Sequence, residues 1–158
     1  MQRIFLVLLL AGCTSSVPES LKPPANESLK RVFTGKGVQI YECRDEKWVF
    51  VAPEADLYDA HGNLVGRHYA GPLWEATGDG SKIVGTVRSQ ADAPALGAIP
   101  WLLLSTRSVG AKGYFSDVTS VQRIWTAGGA APAGTCAGAG AQARIPYIAA
   151  YYFFKARS

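Results

Sequence analysis

Nine short runs of strand-forming residues follow one another along the chain, each closed by turn chemistry. They are Gly37–Cys43, Lys47–Val51, Asp56–Tyr58, Leu64–Tyr69, Leu73–Ala76, Lys82–Arg88, Trp101–Thr106, Val118–Thr126 and Tyr147–Phe154. Within them, apolar and polar residues tend to alternate, the period of a half-buried strand. The breaks are sharp turns: His61-Gly62-Asn63 is hairpin chemistry, Gly71-Pro72 forces a bend, and Gly78-Asp79-Gly80-Ser81 is a tight turn. Only Ser116–Trp125 also fits a short helix. Such spacing predicts an all-β fold, a single-domain antiparallel sandwich or barrel of about eight or nine strands. The length, 158 residues, suits one domain. A charged fraction of 18% and 17 Gly argue against disorder, coiled coil and long helical bundles.

The first residues read differently. Met1-Gln2-Arg3 is a basic start, Ile4–Leu10 an apolar run too short for the roughly 20 residues of a bilayer span, and Leu10-Ala11-Gly12-Cys13 a small-residue cleavage site. This segment resembles the lipobox of bacterial lipoproteins. The resemblance implies a signal peptide over residues 1–12, diacylation of the Cys13 thiol and a membrane partner reached through that anchor. Thr14, in place of an Asp, implies sorting to the outer membrane, facing the periplasm. Residues 13–27, rich in Ser and Pro, read as a tether, and residues 28–158 as the β domain.

Lipidation would use one of the three cysteines. Cys43 and Cys136 then remain in an oxidising compartment, where a disulfide between them is expected, with two buried thiols as the alternative. The bridge would pin a Gly/Ala/Pro loop over residues 127–144, whose length calls for a pin, a function or mobility.

Four blocks carry a further likeness: Gly-Val-Gln-Ile-Tyr-Glu-Cys (37–43), His-Tyr-Ala-Gly-Pro-Leu-Trp-Glu (68–75), Ile-Pro-Trp-Leu-Leu-Leu (99–104), and Val-Thr-Ser-Val-Gln-Arg-Ile (118–124) followed by Gly-Gly-Ala-Ala-Pro and Cys136. Together they resemble an uncharacterised family of secreted bacterial and fungal proteins, domain of unknown function 3455, over residues 28–154. The likeness implies export and a common architecture, without an activity. Leu73 stands where other members often carry Thr, which weakens any role for a hydroxyl there.

Chemistry-bearing patterns are few. His68-Tyr69-Ala70-Gly71-Pro72-Leu73-Trp74-Glu75 folds back at Gly-Pro, which brings His68 near Trp74 or Glu75. His68, Trp74 and Glu75 are therefore the candidate ligand pocket: an imidazole, an indole wall and a carboxylate. The alternative is an envelope enzyme, hydrolase-like or metal-assisted, using His68 with Glu75 or Asp79. His61, His68 and Asp59 share a hairpin but form no compact metal motif, and no metal or cofactor is expected. Gly138–Ala143 matches a dinucleotide fingerprint in letters only, because no strand precedes it and Pro146 forbids the helix. Loss of Arg3 leaves 15 of the 16 basic residues against 12 acidic ones, a net +3 on scattered positions, and no nucleic-acid partner is expected. The pattern points to a lipid-anchored envelope domain that binds a small molecule, glycan or partner protein, or serves structurally. Replacing Cys13 with Ser should abolish incorporation of labelled fatty acid and release the protein from membranes. Labelled, membrane-bound mutant would refute the anchor.

Overall fold

The computed structural model describes residues 16–158, so the segment expected to be a signal peptide and Cys13 lie outside the described residues. Eight antiparallel strands form one sheet: β1 (Glu27–Arg44), β2 (Lys47–Tyr58), β3 (Leu64–Tyr69), β4 (Leu73–Ala76), β5 (Lys82–Ala91), β6 (Trp101–Val109), β7 (Val118–Gly128) and β8 (Gln142–Ala156). Each strand pairs with the next, and β8 returns to β1, so the sheet closes as a barrel. Of sandwich and barrel, the barrel is the observed form. β1 begins ten residues before the Gly37–Cys43 run, because its early half is held by ladder bonds to β8 and not by its own pattern. The segment that also fitted a helix is β7, paired on both sides and bulged between Ile124 and Ala127. Closure leaves neither β1 nor β8 as a free outer edge.

Inward positions alternate along the strands, as a period of two demands. Two of them are glycine where a large ring arrives from a neighbour. A Cβ at Gly35 would lie 2.4 Å from the Tyr151 ring, and one at Gly85 would lie 2.8 Å from that of Trp74. The interior is packed at one end. Phe33, Leu57, Ile83, Val121 and Phe153 fill it, and the β6–β7 connection tucks Phe115 beneath them, stacked on Phe153 at 5.0 Å and 9°. Burying each such side chain contributes about 1.5–3 kcal/mol. The other end, framed by the β1–β2, β3–β4, β5–β6 and β7–β8 connections, is the mouth.

The disulfide Cys43–Cys136 ties the end of β1 to the long β7–β8 loop at this mouth, with 5.7 Å between the Cα atoms. Backbone bonds extend the seam: Cys136 N donates to Glu46 O at 3.1 Å, and Gly140 N to Cys43 O at 2.9 Å. Closing a loop across a separation of 93 residues is worth about 4–5 kcal/mol in the chain-entropy model.

The stretch expected as a tether behaves otherwise from Ser16 onward. It forms a strap on the outside of the barrel, with a single 3-10 turn at Glu19–Leu21. Leu21 is wholly buried against Trp101, Leu103 and Ile124, joined by Val17, Ala91 and Ala93. Gln122 Nε2 donates to the Leu21 carbonyl at 2.6 Å. The reason is apolar: Val17 and Leu21 are the only large apolar side chains in a polar, Pro-rich stretch, and the outer faces of β6 and β7 present Trp101 and Ile124 to them. Leu21→Ala should lower unfolding free energy by about 2–5 kcal/mol in urea titrations. A loss below about 0.5 kcal/mol, the range of surface substitutions, would show that the strap is not seated.

Candidate ligand cavity

β3 and β4 are the shortest strands, and the barrel wall is low where they stand. Pairing of β2 with β3 stops at Ala55↔His68, and pairing of β4 with β5 stops at Leu73↔Val84. Beyond the Ala70-Gly71-Pro72 turn, β2 from Lys47 to Glu54 and the far part of β5 have no ladder partner on that side. The result is a lateral notch, with Phe50 and Val51 on one jamb and Val87 on the other. Behind it lies a cavity of about 560 Å³. Eight-stranded barrels have room for interior side chains or for one small ligand. Here the lower half is filled and the upper half is open.

His68 and Trp74 face this space from opposing positions of the β3–β4 pair. Their rings stack at 4.4 Å and 9°, and the edge of Tyr151 meets His68 at 5.3 Å. His68 Nδ1 lies 3.0 Å from the Leu73 carbonyl, so Nδ1 carries the proton and Nε2 is left as an acceptor. Burial, aided by the Arg123 charge and opposed by the Leu73 bond, pulls the His68 pKa down to about 3. The imidazole is therefore neutral at physiological pH. It serves as a stacking surface and acceptor, and its pKa lies far from that of a general base poised near neutrality.

The other expected partners lie elsewhere. Glu75 follows Trp74 and so points to the outer face, where Tyr69 donates to it and Lys82 Nζ lies 3.4 Å away. The Tyr69 hydrogen bond, and then Lys82, hold its carboxyl below the ordinary range. Asp79 is at the far end of the barrel, accepting from Tyr114 N at 2.6 Å and Ser81 N at 2.9 Å. His61 is exposed in the β2–β3 turn, which Asp59 organises by accepting from the His61 and Asn63 amides at 2.9 Å. His68, Trp74 and Glu75 thus divide between two faces of one sheet. Among the described residues no three His, Cys, Asp or Glu side chains gather as metal ligands.

Several cavity residues were not singled out in the sequence. Arg123 projects inward from β7, its Nε and Nη2 donating to the Pro100 carbonyl at 3.2 and 2.8 Å. No salt bridge joins it to a carboxylate among the described residues. Tyr147 and Tyr151, four apart on β8, share a hydroxyl–hydroxyl bond of 2.9 Å, and burial raises both phenols well above their ordinary range. Gln39 is 2% exposed and its Nε2 has no hydrogen-bond partner. The usable signal for Arg123 was parity: it lies two residues after Val121, on the inward face of a strand. The lining contains no Asp, Glu or Cys, and so no carboxylate or thiolate, and its one charged group, Arg123, favours an anion or a neutral acceptor. A larger, more polar hollow of about 800 Å³ lies at the far end, where Lys30 pairs with Asp117, Asp79 and Asp59 accept from backbone amides, and Arg31 adds a further cation.

A base whose pKa is depressed in the folded state contributes stability that is whole above its unfolded pKa near 6.5 and is lost as pH falls towards about 3. Between pH 6 and 4, His68 should therefore cost about 1.4 kcal/mol of stability per pH unit. The His68→Asn variant should lack this component of the slope in paired urea titrations. Parallel slopes would contradict the buried neutral imidazole.

No curated protein and no solved structure matches the chain. The family model described as protein of unknown function (DUF3455) matches residues 23–155, and the chain belongs to that family.

Proposed function

We propose that this domain is a binding module of the bacterial envelope, anchored by lipid at Cys13 to the outer membrane on its periplasmic side, and that it takes a small amphipathic molecule into the barrel mouth. One observation carries the reading: an apolar, aromatic-walled cavity of about 560 Å³ whose lining holds a single charged side chain, Arg123, with no acidic counterpart. The volume lies in the range of small-molecule sites, which pair apolar walls with a few placed polar groups. Trp74, Phe50, Leu102 and Leu104 suit an apolar body. Arg123 suits a carboxylate or a similar oxyanion, its guanidinium being a planar donor set fitted to such groups. The Tyr151 hydroxyl and the free Gln39 amide add hydrogen bonds beside it.

The reading predicts saturable binding of dodecanoate to the purified protein by isothermal titration. Arg123→Met should weaken it about tenfold or more, the effect of losing a charge-assisted hydrogen bond worth about 1.5–3 kcal/mol. Dodecanol, which has no charge for Arg123 to meet, should bind wild type and variant alike. Absence of saturable binding by either amphiphile, or equal dodecanoate affinity in a variant with unchanged near-ultraviolet circular dichroism, would overturn the proposal.

A further inference from the structure

The strap runs in one direction along the barrel wall. Glu27, at its end, sits beside Ser120 near the packed end, with Ser120 Oγ donating to Glu27 Oε1 at 3.0 Å. Leu21 is level with Gln122, further towards the mouth. Val17, four residues earlier, packs against the same cluster of Leu21, Trp101, Leu103 and Ile124, which reaches the mouth at Trp101, the first residue of β6, paired with Ala91 at the end of β5. Cys13 lies four residues before Val17, within about 14 Å even if those residues are fully extended. An acyl chain on Cys13 would therefore join the strap at its mouth-ward end and not at Glu27.

The same end carries apolar side chains with nothing over them. Phe50 and Val87, the jambs of the notch, are 50% and 49% exposed; Leu96, on the β5–β6 loop, is entirely exposed; and Trp125 is 47% exposed with its ring on Trp101. Trp125 reaches that position through a left-handed backbone, φ 52°, at the β7 bulge, a conformation a bulky residue adopts only under constraint. The rim around them is of mixed charge, Arg44, Lys47 and Arg88 with Asp45, Glu46 and Asp92, so it is the indole and apolar side chains that suit the interfacial zone of a bilayer. The packed end also exposes Leu29, Val32, Leu64 and Tyr114, but it lies beside Glu27, at the opposite end of the strap from Val17.

We propose that the barrel rests on the bilayer mouth first, with Phe50, Val87, Leu96 and Trp125 in the interface, so that the notch opens into the lipid and an amphiphile passes between bilayer and cavity without crossing water. This rests on the anchor assigned to Cys13 in the reading above. The test uses the lipidated, full-length protein reconstituted in phosphatidylethanolamine–phosphatidylglycerol vesicles. Leu96→Cys and Leu64→Cys, one at each end, are labelled with an environment-sensitive fluorophore; Cys13 is blocked by lipid and Cys43 and Cys136 by their disulfide. The Leu96 label should be blue-shifted and quenched several-fold more strongly by brominated lipids than the Leu64 label. Equal quenching, or stronger quenching at Leu64, on vesicle-bound protein would overturn the orientation and leave the anchor standing. Wild-type protein that fails to float with the vesicles would instead overturn the anchor and the orientation with it, while dodecanoate binding, measured without membranes, would be unaffected.

Discussion

Pairing of β8 with β1, from Glu27↔Ala156 to Glu42↔Gln142, turns a meander into a closed surface. It joins the two ends of the domain across its longest sequence separation and gives β1 a partner over residues that carry no strong pattern of their own. Everything inside depends on it. Tyr147 and Tyr151 reach the interior from β8, Gln39 and Tyr41 from β1, and the space at Gly35 that admits the Tyr151 ring exists only because the two strands are adjacent. Their pairing also leaves neither terminal strand as an open edge to template other chains, a useful property for a chain that is about half apolar by composition.

The barrel is uneven, and its unevenness creates the cavity. Long strands β1, β2 and β8 build one tall side, while β3 and β4, six and four residues long, leave the opposite wall low. The Gly71-Pro72 turn that shortens this hairpin also sets His68 against Trp74. The stack seals the boundary between packed core and open mouth. A neutral imidazole can stand there because its proton is spent on the Leu73 carbonyl and its ring is enclosed by two aromatics. The disulfide lies on the other side of the mouth, where it holds the glycine-rich β7–β8 loop as a fixed wall. Below the stack, Phe33, Phe115 and Phe153 supply stability; above it, the same architecture leaves Arg123 room to meet a ligand.

Much of this was legible in the residues. The strand runs, the turns at residues 59–63 and 78–81, and the approach of His68 to Trp74 follow from local periodicity and turn chemistry. The placement of Glu75 also follows from that periodicity, since a strand puts neighbours on opposite faces, so Trp74 inside requires Glu75 outside. What local pattern could not carry was the docking of residues 16–26, because a Ser/Pro-rich stretch with two apolar side chains looks the same whether or not a groove exists to receive them. Arg123 was hidden for a related reason. A single cation on an apolar strand is ordinary until the facing walls are known to lack an acid.

By itself the sequence determined most of the strand runs, the alternation of faces along them and the cysteines available for pairing, since all of these are properties of neighbours along the chain. Only the tertiary structure decided that the sheet closes, that its low wall opens into an apolar cavity with one unpaired charge, and that the strap leads back to the mouth. These are relations between segments that can lie more than a hundred residues apart, as Glu27 and Ala156 do. They are set by which strand edges meet and which volumes remain unfilled, and no local period encodes either.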